Sequence, residues 1–287
     1  MQQDKLPDIH ILEGGVGKHL QFTSLLDDLT VLKKICIMSN WPELFKYDQR
    51  IAFSTPLHIL PLHDHTHTFF NNYWNVFYNE PYRSNFLKGD CHIIDYWRQM
   101  YDLPDNNDKR PNFFINKRRE KELEKDIMKL GKFILVQFTG GQSVKAENYD
   151  LENAGRNYSQ GQEVVNLLRE ALPGVNIIVF GHDNEQEPLL NTMAFNNFGG
   201  NPRFVDKIDF MILAKYCVSF ICIDSSLQHM CANKSFNKKG VVLWGTSKPD
   251  MFGYENNTNI ISEYPYCVEI EPKKIVDEFL KVEYETR

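Results

Sequence analysis

The chain is short of several things. It has no uninterrupted apolar run of about eighteen residues, the length a membrane-spanning helix requires, so no stable membrane insertion is expected. Residues 1–8 lack the charged-then-apolar pattern of a secretory signal, and a cytoplasmic location is expected. No CxxC pair occurs among Cys36, Cys91, Cys217, Cys222, Cys231 and Cys267. Their scatter, mostly inside apolar runs, points to buried free thiols rather than disulfides or zinc ligands. Positive charge is in deficit. A net charge of −6 excludes a general attraction to nucleic acid, while leaving room for a local basic face.

Apolar residues are plentiful: 42% of the 287 residues are hydrophobic, enough to fill the cores of two ordinary domains. The chain opens with an apolar strand over 9–12, a glycine turn over 14–17 and a helix over 19–29 spaced by Leu20, Leu25, Leu26 and Leu29. A second strand follows over 34–38 (KICIM), and β-turn-α-β is the signature of a parallel sheet. Residues 58–62 read as another short strand, 63–90 have no clean period, and 91–101 have a helical one. A polar stretch, 104–110, precedes a highly charged helix over 117–129, and 104–131 reads as the linker region. Beyond it, apolar strands (FILVQF, NIIVF, VSFICI, GVVLW) alternate with helices and lack period-2 patterning, as strands buried on both faces do. The last helix opens at Pro272. The expected domains are 1–115 and 116–287, both α/β and Rossmann-like.

Four of these later strands end in small or polar clusters: Thr139-Gly140-Gly141, Gly181-His182, Asp224-Ser225-Ser226 and Gly245-Thr246. Open α/β sheets take ligands at the carboxyl ends of their strands, so four such clusters in one domain favour a ligand site over mere tight turns.

The opening turn, Gly14-Gly15-Val16-Gly17-Lys18, resembles a phosphate-binding loop. The pattern G-x-x-x-x-G-K-[ST] would place its first glycine at Leu12, and the magnesium-binding hydroxyl at His19. The shorter KGGxGK[ST] form would need lysine where Glu13 stands. A deviant P-loop ATPase is therefore the third-ranked reading. The glycines still permit a tight reversal, and helix-initial N–H groups favour a polar or anionic group.

Several stretches, in the right order, resemble one family: EGGVGKHLQFTSLL, SNWPELF, FILVQFTGGQS, CIDSSLQHMCA and VVLWGTSKPDMFGY. The chain resembles the glycosyltransferases that include the ADP-heptose:lipopolysaccharide heptosyltransferases, and most resembles short phage- and environmental-type relatives with a GG-x-GK turn. The resemblance implies two Rossmann-like domains facing across a cleft, the GT-B arrangement. The nucleotide-sugar donor would bind the C-terminal domain and the acceptor the N-terminal one. It further implies inversion, no metal or other cofactor, and a final helix that packs back toward the first domain.

By that resemblance Asp224, Ser225, Ser226 and His229 contact the donor, with helix capping as the plain alternative for the serines and a core role for His229. Thr139, Gly140 and Gly141 would approach phosphate, as would Arg156. Gly181 and His182 would lie near base and ribose, with Gly245 and Thr246 on the same rim. Gly14, Gly15, Gly17 and Lys18 would form the acceptor-side lip. The resemblance puts a catalytic aspartate where this chain has Lys18, and a lysine of ordinary pKa accepts no proton near pH 7. Lys18 would then bind donor phosphate or position the acceptor, and the base comes from elsewhere, with Glu13, Asp64, Glu80 and Asp95 as candidates, or activity is lost. His63, Asp64, His65 and His67 look like a metal cluster but sit in an irregular stretch.

The leading expectation is a glycosyltransferase acting on a lipopolysaccharide-type glycan, or on a hydroxymethylated DNA base if the protein is phage-encoded. In the latter case Lys109, Arg110, Lys117, Arg118, Arg119 and Lys121 would touch phosphate, although a solvated charged helix is the simpler reading. The alternative is a non-catalytic nucleotide-sugar or glycan-binding protein on the same fold. The oligomeric state is not legible.

Overall fold

The computed structural model describes residues 7–57, 75–81, 86, 91–140, 156–180, 189–194, 207–264 and 267–285. The chain divides into two compact units, Met1–Phe114 and Ile115–Arg287.

The first unit is a parallel sheet in the order β3-β2-β1-β4, with β1 Ile9–Leu12, β2 Ile35–Ser39, β3 Ile51–Pro56 and β4 Val76–Tyr78. β1 and β2 are buried along their whole length, which explains their largely apolar sequences, with His10 and Ser39 the polar exceptions. β3 and β4 escape the sequence reading. β3 is an edge strand that mixes Ser and Thr with exposed Phe53 and ends at a proline, and β4 has three residues. The strand expected over 58–62 lies outside the described residues.

The opening helix differs from expectation. Instead of running over 19–29, it starts at Val16 and breaks into α1 Val16–Phe22, a 3₁₀ turn Thr23–Leu25 and α2 Leu26–Leu29. The hydroxyls of Thr23 and Ser24 donate to the carbonyls of Leu20 and Gln21 at 2.6 and 2.8 Å, and such back-bonding competes with the helical ladder. Gly17 and Lys18 therefore lie inside the helix and Gly15 is its N-cap. The long amphipathic helix among this unit's described residues, α3 Ile93–Met100, buries Ile93, Ile94 and Trp97.

The second unit holds a six-stranded parallel sheet in the order β10-β9-β8-β5-β6-β7. Its strands are β5 Phe133–Gln137, β6 Asn176–Val179, β7 Met193–Ala194, β8 Phe220–Ile223, β9 Gly240–Trp244 and β10 Thr258–Ile261. The chain lays strands outward on one side of β5, then returns to its other side with β8, the doubly wound order. Buried Ile134, Val136, Ile221, Ile223, Val241 and Leu243 form the centre of one continuous core.

Around the sheet lie α4 Lys117–Lys129, α5 Gly161–Ala171, α6 Lys207–Tyr216, the short α7 Ser226–Cys231 and α8 Pro249–Phe252, and α9 Pro272–Glu285. The charged helix read as part of a linker, α4, belongs to this unit. It buries Leu123 and Ile127 and packs on α6. α9 adds Ile275, Val276 and Phe279 to the core and packs on α5, β9 and β10.

Candidate functional site

In each unit the order of strands reverses between two neighbours, β5 and β8 in the second and β1 and β4 in the first. The crevice beyond their carboxyl ends is where a doubly wound sheet takes its ligand.

In the second unit that crevice is densely built. Gln137, the buried last residue of β5, accepts a hydrogen bond from the Ser225 hydroxyl at 2.6 Å. A Cβ added to Gly140 would lie 3.0 Å from Ile223 Cδ1 and 3.7 Å from Ser225 Cβ, so a side chain here would push the tip of Ile223 aside by a few tenths of an ångström. The returning chain zips against it: Tyr158 N donates to Phe138 O at 2.8 Å, Gly140 N donates to Arg156 O at 3.0 Å, and Thr139 pairs with Asn157. This brings the Arg156 guanidinium to 3.7 Å from Asp224 Oδ2. Asp224 is buried and accepts from Gln228 Nε2 at 2.8 Å. One turn on, buried His229 shares a 2.8 Å hydrogen bond with the Tyr254 hydroxyl through Nδ1.

Ser225 is the N-cap of α7 in extended backbone, but its hydroxyl reaches across to β5 and makes no cap bond. Ser226 is the first residue of α7. Gly245 and exposed Thr246 follow β9 at the same edge. Gly141, Gly181 and His182 lie outside the described residues. The sequence reading missed Gln137 and Tyr254. A polar residue closing an apolar strand was the available signal for the first, and membership of the GTSKPDMFGY segment for the second.

In the first unit the glycine turn is tied down by protein groups. Gly14 adopts φ +96°, a conformation suited to glycine, and its N–H donates to Asn40 Oδ1 at 2.9 Å. The Trp41 indole donates to Gly14 O at 2.9 Å. The His19 ring sits between two carbonyls, with Nδ1 2.9 Å from Gly15 O and Nε2 3.2 Å from Leu12 O. Burial lowers its pKa to about 4, so the ring is neutral at pH 7 and donates through one nitrogen at a time. A phosphate cradle needs free N–H groups and a free lysine. Here the Gly14 N–H is engaged, and Lys18 Nζ donates to Glu80 Oε2 at 2.7 Å.

The Lys18 side chain is 4% exposed and that of Glu80 22%. The pair joins the segments that follow β1 and β4, at the reversal point of this sheet. Glu80 follows Asn79, whose amide donates to Ile11 O at 3.1 Å and accepts from the Tyr101 hydroxyl. Tyr101 in turn meets His10 Nδ1 at 3.1 Å, and burial lowers the His10 pKa to about 4. Glu13 stands near β4, where its charge adds to burial in raising the Tyr78 phenol.

Asp95, in the first turn of α3, is held by Lys109 Nζ at 2.5 Å, while His92 caps the same helix by accepting from Ile94 N. The two share a helix end without bonding as a pair. Asp64 and the histidines around it lie outside the described residues. Among the described residues no three His, Cys, Asp or Glu side chains gather as metal ligands, and no helix is long and apolar enough to cross a membrane. The basic residues of 109–119 are committed: Arg110 to Asp108, Lys117 to Glu120, Arg118 to Glu122, and Arg119 to Asp209.

No family model matches the chain, and no curated protein matches it by sequence. Solved structures do. A glycosyl transferase of family 9 from Veillonella parvula superposes with a TM-score of 0.65 at 12% identity, covering 99% of both chains. The chain shares this fold. The E. coli ADP-heptose lipopolysaccharide heptosyltransferase II gives a TM-score of 0.65 at 13% identity over 98% of this chain and 99% of its own. The E. coli heptosyltransferase WaaC with ADP gives 0.62 at 10% identity over 96% and 99%.

Proposed function

We propose that the protein is a metal-independent, inverting glycosyltransferase of GT-B type, its second unit binding a nucleotide-sugar donor and its first an acceptor. The observation that carries this reading is the crevice between β5 and β8. There a glycine-lined loop, the Asp224–Arg156 pair and the His229–Tyr254 pair converge at the end of a doubly wound sheet. A heptosyltransferase of the same fold, solved with ADP, supports a nucleotide ligand.

Glycosyl transfer leaves charge on a departing diphosphate, and without a metal that charge must be met by fixed N–H groups and cations. Arg156 is a cation of the crevice, and the Thr139-Gly140 backbone offers close approach. Asp224 anchors Arg156, Ser225 fixes the β8 loop to β5, and His229 presents a ring oriented by Tyr254. Gly181, His182, Gly245 and Thr246 complete the donor rim on this reading. The acceptor is a glycan hydroxyl of lipopolysaccharide type, with a hydroxymethylated DNA base as the phage-type option. Arg119 is held by buried Asp209, while Lys117 and Arg118 are exposed and make only surface pairs, so the glycan ranks first on the resemblance and not on charge. Lys18, a cation where the resemblance places the base, favours one second reading, a non-catalytic nucleotide-sugar-binding protein.

Thermal shift with ADP and ADP-heptose tests donor binding. At a hundredfold excess over Kd, ligand stabilises by about 2.7 kcal/mol. The expected result is a clear upward shift in the wild type that Asp224→Ala and His229→Ala abolish. Binding that survives both substitutions rejects this crevice. ADP release from ADP-heptose with lipopolysaccharide core oligosaccharide then separates enzyme from binding protein.

A further inference from the structure

The geometry points to Glu80 as the general base that activates the acceptor hydroxyl, with Lys18 as the residue that positions it. This rests on the glycosyltransferase reading and deepens it.

Transfer to a hydroxyl requires a proton acceptor on the acceptor side. In the step, the acceptor O–H gives its proton to a Glu80 carboxylate oxygen as the acceptor oxygen bonds to the anomeric carbon. The bond from that carbon to the diphosphate oxygen breaks, and its electron pair leaves on the nucleoside diphosphate. The proton on Glu80 then passes to water. Charge and atoms balance without a metal or further reactant.

Such a base must be fixed to within fractions of an ångström and yet reachable. Glu80 meets both conditions. It sits directly beyond β4, at the reversal point of the first sheet. Its backbone follows Asn79, which is fastened to Ile11 O and to Tyr101. Its carboxylate is held at 2.7 Å by an ammonium whose side chain is 4% exposed, while 22% of its own side chain stays open to solvent. The Lys18 ammonium, a donor only, has no capacity to accept the proton. Its burial gives it a geometric role: from α1 it pins the carboxylate at 2.7 Å. Glu13, in the turn itself, and Asp95, held by Lys109 as Glu80 is held by Lys18, are the competing carboxylates; Asp95 lies on α3 and not at the strand reversal.

The test is steady-state ADP release from ADP-heptose with lipopolysaccharide core oligosaccharide, alongside the ADP-induced thermal shift. Glu80→Gln is expected to lower kcat by about a hundredfold or more, the usual scale of general-base catalysis, with the ADP shift retained. Because Glu80→Gln leaves the Lys18 charge uncompensated, the double variant Lys18→Met/Glu80→Gln supplies a second measurement, with the same loss expected. The acid limb of the kcat/KM profile should persist in Glu80→Asp and vanish in Glu80→Gln. Lys18→Met should lower kcat, and Lys18→Arg should restore most of it, as a positioning role requires. Wild-type kcat in Glu80→Gln overturns the proposal, as does a loss confined to Glu13→Gln or Asp95→Asn. ADP-heptose binding without turnover in the wild type overturns it while sparing the donor site. Absence of any ADP or ADP-heptose binding fells the glycosyltransferase reading itself, and this assignment with it.

Discussion

His19 holds the glycine turn from a position where a phosphate loop would carry a hydroxyl. Its ring nitrogens face Gly15 O and Leu12 O, and burial, reinforced by the Lys18 charge, lowers its pKa to about 4. His10, on the neighbouring strand position, is lowered to about 4 by burial as well. For each, the folded state binds the proton less well than the unfolded chain, whose histidines titrate near 6.5. Stability from these groups is complete above the unfolded value and falls as pH drops through the window from 6.5 to 4. The loss is about 1.4 kcal/mol per histidine at pH 5.5 and on the order of 3 kcal/mol at the acid end. Urea unfolding between pH 7.5 and 5 should therefore show a steep decline. His19→Gln should roughly halve the slope at the cost of about 1 kcal/mol at neutral pH, one lost buried hydrogen bond. An unchanged slope would mean that the His19 ring is charged in the folded protein and bonds both carbonyls at once.

Between elements, the join of α4 to α6 is the clearest case of a polar group fixing a packing geometry. Asp209 is fully buried and receives Arg119 Nε and Nη2 at 2.7 and 2.8 Å. Arg119→Ala removes two charge-assisted hydrogen bonds from a fully buried carboxylate, so it should destabilise the second unit by about 3 kcal/mol in denaturant unfolding. Arg119→Met with Asp209→Leu should recover much of it, because the apolar pair leaves no charge in the core. A loss below about 0.5 kcal/mol would place this pair with surface ion pairs instead. The α4 helix also shows what a sequence makes legible. Asn116 caps it, Leu123 and Ile127 mark its buried face, and both its ends are readable, since all these signals are local. Its identity as packed structure rather than linker depends on Asp209, ninety residues on in the chain. The site divides in the same way. TGG and DSS are visible because strand ends near ligands need small residues, and the alternating second unit is legible because strands buried on both faces are continuous apolar runs. Gln137 bonds Ser225, eighty-eight positions away, and Glu80 bonds Lys18 across sixty-two. No period or spacing encodes such pairs. β4 has too few residues for a pattern, and the helix broken at Thr23 and Ser24 yields to hydroxyls that still read as helical.

For the whole molecule, the two units differ in what destabilises them and in what they are proposed to bind. His10 and His19 both belong to the first unit, so mild acid weakens that one. In the second unit, burial alone would raise the Glu120 carboxyl, but hydrogen bonds from Lys215, Lys117 and Tyr216 prevail and hold it below its ordinary 4.5. Its contribution is present above that value and is lost only as pH falls below it, so at pH 5.5 it remains in place. The proposed nucleotide crevice lies wholly within the second unit. Calorimetry of the full chain should then show two transitions that respond to different variables. Lowering pH from 7.5 to 5.5 should shift the first unit's transition down by several degrees. Saturating ADP at pH 7.5 should raise the second unit's transition and leave the acid-sensitive one unmoved. Fluorine-labelled tryptophan assigns them, since Trp41 and Trp97 report on the first unit and Trp244 on the second. If a single transition responds to both acid and ADP, the units unfold as one cooperative body, and nucleotide binding in one is then energetically coupled to the Lys18–Glu80 edge of the other.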